Sequence, residues 1–250
     1  MPRTDLLYTQ RRSVIRGSNM AQWMARLAIG LAASGALGGV AYRARSIDRG
    51  GFAAGVGVGT AVYVGLGWRG FLCLATFFVL GTVATRVGKA TKQAHGTRTV
   101  RHVLANGLVP ASAALAAAAV PTYGPELTAA FAGSLAAATA DTLSSEIGRV
   151  YGGAPYLLTT LRRVPAGENG GVTVVGSLAG LAGAAVLATV AVLLTLCGSL
   201  PAIVVAGVAG NLTDSVFGAT LERRGLMSNA GVNLACGVAG ALAAAWWVRA

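Results

Sequence analysis

Residues 171–196 read GVTVVGSLAGLAGAAVLATVAVLLTL, a stretch without one charged side chain. About 20 apolar residues, each rising about 1.5 Å, carry a helix across a hydrocarbon core roughly 30 Å thick, and this stretch exceeds that length. Comparable stretches recur at about 23–41, 52–66, 71–87, 106–120, 127–148, 201–219 and 230–248. Together they predict an all-α fold, a polytopic transmembrane bundle of seven to eight helices. Composition argues the same way. Of 250 residues, 54% are hydrophobic and 11% charged, with mean hydropathy +0.64, against roughly 45–50% apolar and 25% charged in a soluble domain.

Working outward, the second and third spans are separated only by Gly67-Trp68-Arg69-Gly70, which predicts a tight helical hairpin. Pro110, Pro121, Pro125 and Pro201 fall at or near span ends, where a missing N–H costs least. The 36 glycines lie mostly inside the apolar stretches, where small residues let helices approach closely in lipid. Gly55, Gly57 and Gly59 read most simply as such a packing face. Cys73, Cys197 and Cys236 stand alone in apolar segments, without a CxxC or metal-ligand spacing, and read as small core residues. No internal repeat is evident. The organisation expected is a basic N-terminal tail over 1–22, disordered or preceding a later true start, and one transmembrane domain over 23–250.

Lysine and arginine set the orientation. The loops 42–51, 88–105 (with the flanking Arg86), 149–170 and 220–229 carry 3, 5, 3 and 2 of them, against 1, 0, 0 and 1 on the alternate side. By the positive-inside rule the richer loops are cytoplasmic. Five more, from Arg3 to Arg26, precede the first span and conflict with this alternation, so either that span does not cross or the chain starts later. Lys89, Lys92, Arg98 and Arg101, then Arg162 and Arg163, then Arg223 and Arg224 form the basic groups. As topology signals and contacts to anionic lipid headgroups they need no nucleic-acid partner, and none is expected.

Only eight residues are acidic, and Asp141, Glu146 and Asp214 lie within or at the ends of spans. A charge at bilayer depth costs about 2.5–3.5 kcal/mol on insertion scales, which makes a functional site the default reading of three of them. The plainer alternative is that they are interfacial, or satisfied by Ser144, Ser145 and Asn211. Helical spacing puts Asp141 with Ser145 on one face, and Asn211, Asp214 and Ser215 on another. All three acids fall toward the basic end, as do Asn106, Asn229 and Asn233 and the loop Pro165–Gly171. Carboxylates and arginines at one membrane face suit a magnesium-bound polyphosphate, because magnesium takes one or two carboxylates with phosphate oxygens and arginine grips phosphate in bidentate fashion. The Gly-rich loop at 167–171 can bring backbone N–H groups to a phosphate, although no Walker A sequence is present. His95 and His102 fall in a basic loop and read as solvated. Phosphoryl transfer onto an anionic phosphate needs alignment and charge neutralisation rather than a strong base.

The strings Val103-Leu104-Ala105-Asn106-Gly107, Ala140-Asp141-Thr142-Leu143-Ser144-Ser145-Glu146-Ile147-Gly148 and Asp214-Ser215-Val216-Phe217-Gly218-Ala219-Thr220-Leu221 carry a resemblance. So do Thr159-Thr160, Val164-Pro165, Gly170-Gly171-Val172 and Val232-Asn233. Over roughly 28–248 the chain resembles an integral membrane family, long a domain of unknown function, that includes the plant chloroplast phytyl phosphate kinase of vitamin E synthesis. The resemblance implies a membrane kinase that converts a prenyl monophosphate of phytyl or geranylgeranyl type to its diphosphate, with CTP as nucleotide co-substrate and Mg2+ as cofactor. It implies that Asp141, Glu146 and Asp214 are the catalytic, metal-binding acids. Arg98, Arg101, Asn106, Arg162, Glu168, Asn169, Gly170, Gly171, Asn211, Ser215 and Asn233 would hold phosphate and substrate. One departure stands out: the family reads Gly-Thr-Asp-Gly-Gly-Val where this chain has Gly167-Glu168-Asn169-Gly170-Gly171-Val172, so that Asn169 is the poorer ligand and Glu168 its substitute. The rival readings are a secondary transporter that couples ions through the same carboxylates, and a cytidylyltransferase-type lipid enzyme that releases pyrophosphate.

Overall fold

The computed structural model describes residues 3–90 and 97–250, with side chains over 20–87 and 97–250. Lys92 and His95, and the side chains of Lys89, Arg3, Arg11, Arg12 and Arg16, lie outside the described residues. Among the described residues seven α-helices follow one another: α1 (Arg3–Arg43), α2 (Arg49–Ala90), α3 (Val100–Ala119), α4 (Gly124–Tyr151), α5 (Val174–Leu193), α6 (Leu200–Phe217) and α7 (Asn229–Arg249). A single π turn, Gly218–Glu222, prolongs α6. A short hairpin pairs β1 (Tyr156–Leu157) with β2 (Gly171–Val172), antiparallel.

α2 is two helices in one hydrogen-bonded run. At Gly67 the backbone takes φ 66° and ψ −158°, a left-handed conformation that a side chain disfavours, and the chain doubles back. The fold-back is visible in the contacts. The rings of Tyr63 and Phe71 stand 6.1 Å apart, and Phe71 Cε2 lies 3.3 Å from where a Cβ on Gly59 would be. The arms 49–66 and 68–90 therefore cross side by side, as the hairpin reading expected, and the bundle has eight legs.

Among the described residues six helices are long and apolar enough to cross a membrane, including Met20–Arg43 within α1. α4 is absent from that set and is the most enclosed: every residue from Ala129 to Asp141 is buried. Alanine, glycine, serine and threonine dominate this run, and in lipid such small side chains allow backbones to close on one another. Gly133 meets Gly240 and Ala244 of α7, Gly210 of α6 meets Ala137, and Gly180 of α5 meets the Ala140 carbonyl. Around α4 the other helices turn large apolar residues outward, including Ile29, Val83, Leu178 and Leu242. The chain is thus a multi-pass membrane bundle, and Cys73, Cys197 and Cys236 are buried within it.

The loops sort to two ends. The Arg98 amide donates to the Ser46 carbonyl at 3.1 Å, Arg223 pairs with Glu168 at 3.2 Å, and Gly170 closes on Ala219. These contacts join the basic loops two by two, and described residues from all four, Ile47, Arg98, Glu168 and Glu222, line one cavity at the same end. At the other, Arg69 donates to Thr195 at 2.7 Å and Arg26 to the Val64 carbonyl at 3.2 Å. Several boundaries differ from expectation, α1 most of all, since it begins at Arg3 within the stretch read as a tail. α3 starts at Val100 rather than 106, since Thr99 and His102 form a capping box. α5 starts at Val174 rather than 171, because Gly171 and Val172 pair as β2 and the Thr173 hydroxyl caps the helix.

Gly133→Val forces α4 and α7 apart and should destabilise the bundle by about 1–3 kcal/mol. Gly57→Ala, where a Cβ meets nothing within 4 Å, should not. Thermal unfolding of the two purified variants in detergent separates the cases.

Candidate functional site

The close approach of α4 and α6 decides what their next turns do. Gly210 and Ala137 touch, and both helices run toward the basic end, so the residues one turn on, Asp214 and Asp141, face each other. Their carboxyl groups come within hydrogen-bonding reach of one another. Asp141 is buried, and the Ser145 hydroxyl donates to its Oδ1 at 3.4 Å. Asp214 Oδ1 is buried without a hydrogen-bond partner among the described residues. Two juxtaposed carboxylates, one of them under-satisfied, make a site that calls for a cation or a shared proton.

A third acid, within electrostatic range of Asp141, makes its hydrogen bond elsewhere. Glu146 is buried and accepts from the Thr85 hydroxyl at 3.1 Å. Arg98 reaches the same hydroxyl at 3.5 Å and stacks on Phe78 at 6.0 Å. Burial lowers the Arg98 pKa from its usual value, and the Glu146 charge opposes that shift. Glu146 thus acts on a guanidinium that projects into the site from the loop before α3.

These groups line one cavity of about 460 Å³ at the basic end. From the helices come Asn106, the three acids, Asn211, Ser215 and Asn233; from the loop before α3 comes Arg98, and from the 167–171 loop come Glu168, Asn169, Gly170 and Gly171. The Asn106 amide donates to the His102 carbonyl at 3.1 Å, and the Ser215 hydroxyl donates to the Asn211 carbonyl at 3.1 Å. Gly170 has φ 75° and its α-carbon packs where any Cβ would strike Ala219, which seats the loop against the start of the π turn. Arg101 and Arg162 do not line the cavity. Both are exposed, Arg101 because it sits one residue, about 100° of helix, from His102 on the cavity side, and Arg162 because it sits in the loop beyond β1.

Other residues join that the spacing did not single out. His102 is a helix residue, exposed yet lining the cavity, and not part of a loop. Arg149 and Thr85 also line it, as does Asn229, expected at this end from the sequence. Glu222 does too, bonded to Asn229 and within electrostatic range of Asp141 and Asp214. It was hidden by the reading of 220–229 as a loop. The wide π turn carries α6 on to Glu222 and re-aims it, as such turns do at functional sites. Its only sequence signal is the spacing Asp214, Gly218, Glu222 at successive turns.

Among the described residues no three acids, histidines or cysteines are grouped closely enough to hold a metal by themselves. Magnesium asks for less: one or two carboxylates, with water and phosphate oxygens completing its shell. The Asp141–Asp214 pair, with its unpartnered oxygen, fits that demand.

The chain matches the family described as Integral membrane protein DUF92 over residues 32–241. It belongs to that family. A membrane protein of Methanocaldococcus jannaschii, MJ0933, is 38% identical over 186 residues, 70% of this chain and 75% of its own. One from Synechocystis, sll0875, is 35% identical over 182 residues, 67% and 69% of the two chains. Protein VTE6 of the Arabidopsis thaliana chloroplast is 34% identical over 184 residues, 69% of this chain and 55% of that one. No solved structure matches. The DUF92 membership agrees with the motifs at 140–148 and 214–221, whose acids now meet in one cavity.

A double-mutant cycle of Arg98→Gln and Glu146→Gln should return a coupling of about 1–2 kcal/mol in unfolding free energy. Additive single effects would show that the guanidinium does not act on Glu146.

Proposed function

We propose that this DUF92 protein is a prenyl phosphate kinase, moving the terminal phosphoryl group of a nucleoside triphosphate, CTP by resemblance, onto a prenyl monophosphate. The observation that carries the reading is the Asp141–Asp214 pair with the buried, unpartnered Asp214 Oδ1, lining one cavity with Arg98 and five asparagines. The basic loops around it argue for a cytoplasmic site, where soluble nucleotide meets a lipid phosphate at the headgroup level.

The acceptor is a phosphate oxygen, already anionic, so no side chain has to remove a proton. The bond from the γ-phosphorus to the nucleoside diphosphate breaks as the bond to the prenyl phosphate oxygen forms. What the chain supplies is alignment and charge. Asp141 and Asp214 would hold magnesium, which neutralises phosphate charge when bound. Arg98, oriented by Glu146 and Thr85, presents a planar donor fork to phosphate. Asn106, Asn211 and Asn233 offer neutral amides, and the 167–171 loop offers backbone N–H groups. Glu168 is engaged by Arg223, and Asn169 stands in the cavity where the family carries Asp, so the metal load falls on the helix pair.

Purified protein supplied with geranylgeranyl or phytyl monophosphate, CTP and magnesium should form the diphosphate and CDP. Release of pyrophosphate instead would identify a cytidylyltransferase. Asp141→Asn should lower turnover by at least about 100-fold while leaving expression intact, the scale expected when a group stabilising transition-state charge is lost. Unchanged turnover would remove the pair from catalysis.

A further inference from the structure

The cavity does not stop at its charged end. Gly51 lies at the level of the Arg98 carbonyl, and Gly59 follows two turns deeper in the same arm, about 12 Å at the helical rise. The other arm agrees: Gly81 lies against the Arg98 guanidinium, and Phe71 lies about 15 Å below it. Between these levels the cavity is lined by Leu37 of α1, Gly55 and Val58 of the first arm, and Phe71, Leu74 and Phe77 of the second. At its deep end Gly59 packs against Ser34 and the Phe71 ring, and all three line the cavity.

Gly55 keeps this apolar limb open. The sequence assigned it with Gly57 and Gly59 to a packing face, and only Gly59 packs that way. A Cβ on Gly55 would meet nothing within 4 Å, although the residue lines the cavity. Gly57 also meets nothing but does not line it. A narrow apolar limb continuous with a phosphate-suited head fits an amphiphile whose charged end and hydrocarbon tail are both inside the protein.

We infer that the limb between α1 and the two arms of α2 holds the hydrocarbon tail of the phosphorylated lipid substrate, with Gly55 setting how much tail fits. This rests on the kinase reading for the head and on the cavity's shape for the tail. Enclosing the tail fixes the depth of the phosphate beside Asp141 and Asp214, which free partition into the bilayer does not. It also makes chain length a property the protein can select, since each methylene in an apolar pocket is worth roughly ten- to two-hundred-fold in discrimination.

The test uses the full chain in nanodiscs and a prenyl monophosphate carrying a diazirine at its tail end. Photolabelling should map to residues 34–41, 55–59 and 71–77, fall about tenfold in Gly55→Leu, and persist in Gly57→Leu. Leu37→Trp, which fills the limb from α1, should match Gly55→Leu should the latter fold poorly. Excess geranylgeranyl monophosphate should abolish the label; excess diacyl phospholipid should not. In turnover, the ratio of long-chain to five-carbon substrate should drop about tenfold in the limb-filling variants alone. Label confined to lipid-facing residues, displacement by phospholipid, or equal labelling of Gly55→Leu and Gly57→Leu overturns the tail assignment, whatever the turnover. Label in the limb without turnover by any nucleotide leaves the tail assignment standing and removes the kinase reading instead.

Discussion

Hydrocarbon offers no partner to a carboxylate, so an acid at bilayer depth must be enclosed by protein, and that demand organises this bundle. α4 answers it by being inside. Its run of small residues lets α5, α6 and α7 press against it until backbones nearly touch, at Gly180, Gly210 and Gly240. The continuous buried run ends at Asp141, and by then the neighbouring helices have closed a wall around it. The same approach positions Asp214, since a contact at Ala137 and Gly210 leaves little freedom one turn further on.

The chemistry at the basic end divides among elements of different rigidity. The pair Asp141–Asp214 is held by helices packed at backbone distance. Arg98 comes from a loop, yet it is tied twice: its backbone to the segment at 46–48, and its side chain to Thr85 beside Glu146. The 167–171 loop is anchored through Gly170 on the π turn and through Glu168 to Arg223. Each tether joins a loop to a helix end that also contributes to the cavity. Groups far apart in sequence therefore keep a common frame, which is the condition for alignment to contribute to a rate.

Much of this was legible from residue order. Apolar runs marked the legs, four residues at 67–70 marked the hairpin, and basic loops marked one end. The rarity of acids in apolar surroundings marked Asp141, Glu146 and Asp214 because insertion cost is a local property of a residue and its neighbours. What depended on side-chain direction was harder to read. Arg101 and His102 are adjacent, and a helix starting six residues early puts them on different faces. Glu222 was signalled only by its spacing from Asp214 and Gly218, because a π turn changes the angular step that periodicity relies on. Gly55 and Gly59 share a face and a chemistry, and only the position of α1 and the second arm makes one a packing contact and the other an opening.

The sequence by itself determined the solvent, a bundle of seven to eight legs, the end at which charge collects, and which acids are costly to bury, because each follows from transfer free energies summed along a single chain. Tertiary structure alone decided that Asp141 pairs with Asp214 while Glu146 serves Arg98, and that Glu222 joins them. It also decided that an apolar limb opens beneath the charged head, because these are relations between helices, set by how closely small residues on different segments can approach.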